Sequence, residues 1–155
     1  MTRYPLLLGF RDVVQGNGYI ARVAVEGRAL MLAEEPPEKI WIEGVNPGGF
    51  AASGHSQAEA LEAFRQSYLA VLFDIAADAG DFEAFREGVE EFFHDTNEPA
   101  GRDWEAAVQE VRAGRMEADW LAKRPADSPR HIEVVRIEQP KAQDNELGEG
   151  AALAA

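Results

Sequence analysis

The sequence predicts an α+β fold, with an antiparallel sheet covered by a long helix and further helices beyond it. Three observations carry this. Short β-prone runs separated by tight turns fill the chain up to residue 54. Apolar residues then recur at helical spacing from 57 to 79. A last β-prone run, HIEVVRI at 131–137, lies too far along the chain for a local hairpin and is expected to return to the sheet.

The elements follow in order. Residues 6–14 (LLLGFRDVV) read as a strand entering the turn Gln15-Gly16-Asn17-Gly18, which supplies residues at ease with positive φ. Residues 19–25 (YIARVAV) read as a second strand, Glu26-Gly27-Arg28 as a turn, and 29–33 (ALMLA) as the next run. Pro36 and Pro37 break it, since proline cannot donate to a ladder. Residues 39–43 (KIWIE) alternate as a strand should. Asn46-Pro47-Gly48-Gly49 is a turn, residues 50–53 a short strand, and Gly54 its end. Connections this short predict pairing between sequence neighbours.

Ser56, with Glu59 three residues on, has the form of a capping box opening a helix over 57–79. Phe64, Tyr68, Val71, Leu72, Ile75 and Ala79 form one face of it, and Gly80 is expected to end it in the left-handed conformation. Asp81 caps a second helix lined by Phe82, Phe85, Val89, Phe92 and Phe93. Residues 95–102 read as a loop, and Asp103 as the cap of a third helix ending near Gly114. Residues 115–123 read as a short helix and 141–155 as a disordered tail. The chain is thus one domain over 1–140 with a helical insertion at about 81–122.

Composition narrows the function. The net charge is −13, from 28 acidic and 15 basic residues. Such a field repels nucleic acid and speeds encounter with basic partners. There are no cysteines, so disulfide and thiolate chemistry are excluded and a reducing cytoplasm fits. No stretch approaches the ~20 apolar residues of a membrane span.

Catalytic, cofactor and metal sites are not expected. His55, His94 and His131 stand apart, without a second histidine at metal spacing. Carboxylate pairs such as Glu90-Glu91 are what an acidic chain supplies by chance. Ser56 is better employed as a cap than as a nucleophile, and no phosphate-binding glycine motif occurs. The partner-binding candidates are Trp41, the acidic pair Glu34 and Glu35, and Phe92 with Phe93, two adjacent aromatics that cannot point the same way on a helix.

Residues 44–61, GVNPGGFAASGHSQAEAL, resemble HicB-like antitoxins. The resemblance lies in Pro47-Gly48 between strands, Gly54, the cap Ser56, and Glu59-Ala60 opening the long helix. Gly16, Gly18 and Tyr19 upstream are also similar to that family. The chain departs from it in having Val45-Asn46 where Asp-Leu is usual, in an added hairpin at about 27–38, and in the helices over 81–122. The resemblance implies a partial RNase-H-like core, often oligomeric, that silences a small basic RNA-cleaving toxin without being an enzyme. A stand-alone oligomeric scaffold using the Phe92-Phe93 region is the alternative, and a metal-dependent hydrolase built on carboxylates a more distant one.

Overall fold

The structure, a computed structural model, describes residues 2–34, 39–116 and 131–137. It has the α+β architecture. Strands β1 (Thr2–Gln15) and β2 (Ile20–Ala33) form a hairpin paired along its whole length, from Thr2 opposite Ala33 to Gln15 opposite Ile20. Strand β3 (Ile40–Asn46) pairs with the second half of β2, and β4 (Ala51–Gly54) pairs with β3. Three helices follow: α1 (Gln57–Asp78), α2 (Phe82–His94) and α3 (Glu98–Arg112). Strand β5 (His131–Ile137) returns antiparallel to the first half of β2, Ile20–Glu26. One edge of β2 therefore serves β1, and the other is divided between β3 and β5.

The period-2 alternation sorts the sheet into two faces. Val14 of β1 and Ala21, Val23 and Val25 of β2 pack with Tyr68, Leu72 and Ala76 of α1 and with Phe85, Val89 and Phe93 of α2. Further along the same face, Leu6, Leu8, Ala29, Met31 and Ile42 receive Ala60 and Phe64. Among the described residues the opposite face is covered at one end. There Leu30 and Val45 pack with Ala100, Trp104, Ala107 and Val108 of α3. The indole Nε1–H of Trp104 donates to the Leu6 carbonyl at 3.1 Å, so α3 also reaches around β1.

The caps are largely those expected. Ser56 Oγ accepts from the Glu59 N–H at 3.1 Å, while the Glu59 carboxylate reaches one residue further back, to the His55 N–H at 2.8 Å. Asp81 accepts from the Ala84 N–H, capping α2. Gly114 ends α3 at φ 73°.

Three boundaries differ from the sequence reading. Residues 26–28 are not a turn: β2 runs through them, with a bulge between Arg28 and Ala29. Gly27 is there because a Cβ would run into the Asn46 carbonyl oxygen, so the glycine marks a close approach of two strands. Helix α3 starts earlier than Asp103. Asn97 caps it, accepting from the Ala100 N–H at 3.2 Å, and Pro99 sits in its first turn, where a missing N–H is harmless. Gly80 is not left-handed. Helix α1 ends instead with Ala79 extended, its carbonyl accepting from Asn17 Nδ2 at 2.9 Å. The helix foreseen at 115–123 falls mostly outside the described residues, as does the tail at 141–155.

Gly27→Ala should therefore lower stability by about 1–3 kcal/mol through overpacking against the β3 backbone. Gly9→Ala, on the paired strand where a Cβ meets nothing within 4 Å, should cost less than about 1 kcal/mol. Urea unfolding of both variants checks the contrast.

Candidate protein-docking surfaces

The Pro-Gly turn after β3 is fixed from several sides. Asn46 is 2% exposed, and its peptide bond to Pro47 is cis. Its amide donates to Thr96 Oγ1 at 2.6 Å and to the Phe93 carbonyl at 3.3 Å. Its Oδ1 accepts from Arg28 Nη2 at 2.6 Å and from Nε at 3.3 Å. The Arg28 guanidinium lies 5.1 Å from the Trp104 ring centroid. The Gly48 N–H donates to the Asp95 carbonyl at 3.0 Å, the Asn97 N–H to the Val45 carbonyl at 3.1 Å, and Asn97 Nδ2 to Glu43 at 3.1 Å. Asn46 was not a candidate on sequence. Its only signal was position, directly before a Pro-Gly turn.

This clamp sets where the sheet's far face is covered and where it is bare. Helix α3 covers Leu30 and Val45 but leaves Trp41, the second residue of β3, 41% exposed. Trp41 stands opposite Leu32 on one side and Ser53 on the other. Lys39 Nζ lies 4.7 Å from its ring centroid. Glu34 is exposed just past the end of β2, beside the same end of β3, and Glu35 lies outside the described residues.

The other aromatic candidates lie elsewhere. Phe93 is 1% exposed in the core beneath α2. Phe92 is half-buried, its ring 6.0 Å from Phe50 and 6.2 Å from Tyr68. The two do point in different directions, but both point inward, on the opposite side of the sheet from Trp41.

On α1, Leu61 and Phe73 are among the most exposed large hydrophobic residues. Between them Arg65 donates to Asp12 Oδ1 at 2.7 Å and lies 4.9 Å from the Phe10 ring centroid. Among the described residues, Asp12 Oδ2 and Tyr68 Oη are buried without a hydrogen-bond partner. Burial raises the Asp12 carboxyl above its ordinary value of 3.8, against the pull of Arg65. The Tyr68 hydroxyl is raised too, by burial and then by the nearby Asp12 charge.

The histidines lie apart. His55 is exposed beside the α1 cap, His94 lines a groove between α1 and α2 with Glu91 and Asp95, and His131 is exposed 3.8 Å from Glu133. Among the described residues no group of three or more His, Asp or Glu is placed to hold a metal ion, and no helix is long and apolar enough to cross a membrane.

Comparison with protein-family models, with curated proteins and with solved structures gives no match.

The raised Asp12 carboxyl has a defined consequence. The folded chain holds this proton more tightly than the unfolded chain, so the group favours folding at low pH and loses that contribution as pH rises through its folded value. Asp12→Asn, which cannot ionise, should gain stability relative to the parent between pH 4 and pH 7. Paired urea titrations at the two values check the sign.

Proposed function

We propose that this chain is a non-catalytic protein-binding module of the HicB-like kind, whose partner is a small basic RNA-cleaving toxin. The observation that carries the reading is Trp41. A tryptophan near the start of β3, flanked by the buried Ile40 and Ile42 yet itself 41% exposed, contributes only part of its area to folding. Exposed indoles of this kind are anchors in protein interfaces, where burial completes both their apolar contact and their N–H bond. The field around it favours a basic partner. With a net charge of −13, the chain attracts cations within about a Debye length of its surface and raises the rate of encounter. Glu34, beside Trp41, supplies a carboxylate for the rim.

The arrangement of strand, Pro-Gly turn, short strand and Ser56-capped helix supports the family reading. In that reading β1 to α1, joined by β5, form the partial RNase-H-like core, and α2 and α3 are additions. A basic RNA-binding surface on the toxin would be occupied by the acidic face, and Trp41 would hold the register.

Co-expression with a small basic RNA-cleaving protein encoded beside this chain, followed by co-purification, tests the reading. A complex that suppresses RNA cleavage and weakens with added salt is the expected result. Trp41→Ala should weaken it by about 2 kcal/mol or more, roughly 30-fold, at a stability cost near 1 kcal/mol. Failure to form a complex with any such protein would count against the toxin reading, and a complex indifferent to Trp41→Ala would remove this surface from it.

A further inference from the structure

Helix α2 runs back along α1. Ile75 meets Gly88, where a Cβ would lie 2.8 Å from Ile75 Cγ2, and further along Tyr68 lies against Phe92. Past the Ile75–Gly88 contact the helices part, and a groove of about 720 Å³ opens between them. That is the size of a small-molecule site. Val71, Ile75 and Phe92 give it an apolar floor. The floor is set in place, because the Phe92 ring packs against Phe50 and Tyr68. One wall is anionic. Glu91 and Asp95, four residues apart, are both exposed, and they stand at the end of α2 where the helix dipole is negative. Asp95 is also fixed in position, since its carbonyl accepts from the Gly48 N–H at 3.0 Å.

We propose that this groove binds an aliphatic polyamine, with its methylenes on the Phe92 floor and its ammonium groups on Glu91 and Asp95. Charge selects a cation here more sharply than the chain's total does. Residues 66–95 hold eight carboxylates, one histidine and a single Lys or Arg, Arg86. Arg86 is engaged by Glu83 at 2.7 Å and by Glu90 at 3.2 Å, away from the groove. An outside cation therefore finds Glu91 and Asp95 facing it without an internal rival.

Shape and spacing select the kind of cation. Glu87, Glu91 and Asp95 recur every four residues along α2, about 6 Å apart. Three or four methylenes between two amines set their charges at about that spacing. From Gly88 to Asp95 the groove is roughly 10 Å long, and the Ile75–Gly88 contact closes one end. A helix, itself about 10–12 Å across, would span such a groove, whereas a methylene chain can lie along it. A bare metal ion would gain the charge and leave the floor unused. Among the described residues no three carboxylates or histidines are placed to ligate one. His94, at the open end, adds a further acceptor when neutral.

Isothermal titration calorimetry of the full chain with spermidine checks this. One saturable site with Kd below about 1 mM is expected at low ionic strength, weakening as salt is added. Mg²⁺ should bind about tenfold more weakly or less. Glu91→Gln with Asp95→Asn should lower the spermidine affinity about tenfold or more. Glu26→Gln with Glu62→Gln removes the same charge from exposed positions elsewhere and should change it less than about twofold. Val71→Lys, which sets an ammonium group of the chain's own in the groove, should abolish binding with circular dichroism unchanged. Mg²⁺ binding as tightly as spermidine would overturn the proposal, as would equal losses in the two double variants, since either describes a diffuse ion atmosphere. So would the lack of a saturable site up to about 10 mM. So would a tetralysine peptide that binds the parent more tightly than spermidine and is lost in Val71→Lys, because the groove would then take a protein's side chains.

Discussion

Everything on the far side of the sheet depends on how Asn46 is held. Its amide is a single polar group in an almost dry setting, 2% exposed, and it ties its own strand to three other segments at once. Arg28 belongs to β2, Asn46 to β3, Phe93 to α2 and Thr96 to the connection before α3. An unmade bond at such depth costs about 1–3 kcal/mol, so the network is either complete or strongly unfavourable. That all-or-none character gives it control over geometry. With Asn46 in place, the loop at 95–97 is drawn against the Pro-Gly turn by the Gly48 and Asn97 N–H groups, and α3 can leave only across the far face. The bare backbone at Gly27 is the steric counterpart, because it lets the Asn46 peptide come close enough for Arg28 to reach the side chain.

The division of β2 follows from the same place. A strand of 14 residues is longer than β3 or β5 can cover alone; β5 gives way to β3 at Gly27, and the bulge at Arg28/Ala29 follows just inside the β3 pairing. A bulge also adds twist. The sheet on its helix-covered side is therefore two adjoining cores, one under the carboxy-terminal part of α1 with α2 and one under the amino-terminal part of α1. Among the described residues the long helix is the one that spans both. Its sequence shows this as a buried line through Ala60, Phe64, Tyr68, Leu72 and Ala76, spaced by four and drifting slowly around the helix. Such a drift suits a rod lying on a twisted sheet.

Much of this was legible in the sequence because it is local. The hairpin at 15–18, the Ser56 and Asp81 caps and the length of α1 follow from side chains bonding to backbone a few residues away. Even the return of β5 was legible, since a strand-forming run with no near neighbour has to pair at a distance. What was not legible depends on partners remote in sequence. Gly27 reads as a turn until Asn46, nineteen residues later, is known to pass against it. Asn97 gives no sign that it caps a helix while also binding the backbone of Val45. The Phe92-Phe93 pair looks like surplus aromatic area, but one ring fills the space above Gly27 and the other closes the seam between Phe50 and Tyr68. Trp41 is the reverse. Its alternation in KIWIE marks it as outward-facing from β3, but it is the reach of α3 that leaves it 41% exposed.

The two surfaces proposed for binding are separated by the sheet itself. Trp41 lies on the side that α3 partly covers, near β3 and β4, while the groove between α1 and α2 lies on the opposite side. Neither occupant would cover the other's residues. They are coupled all the same, because both answer to one negative field. A polyamine between the helices would remove part of the charge that draws a basic protein toward the chain, and a basic protein at Trp41 would weaken the hold on the polyamine. Linkage makes the two effects equal in binding free energy. The coupling is small, since the sites face away from each other and salt screens charges beyond about a Debye length, and it requires no change of shape.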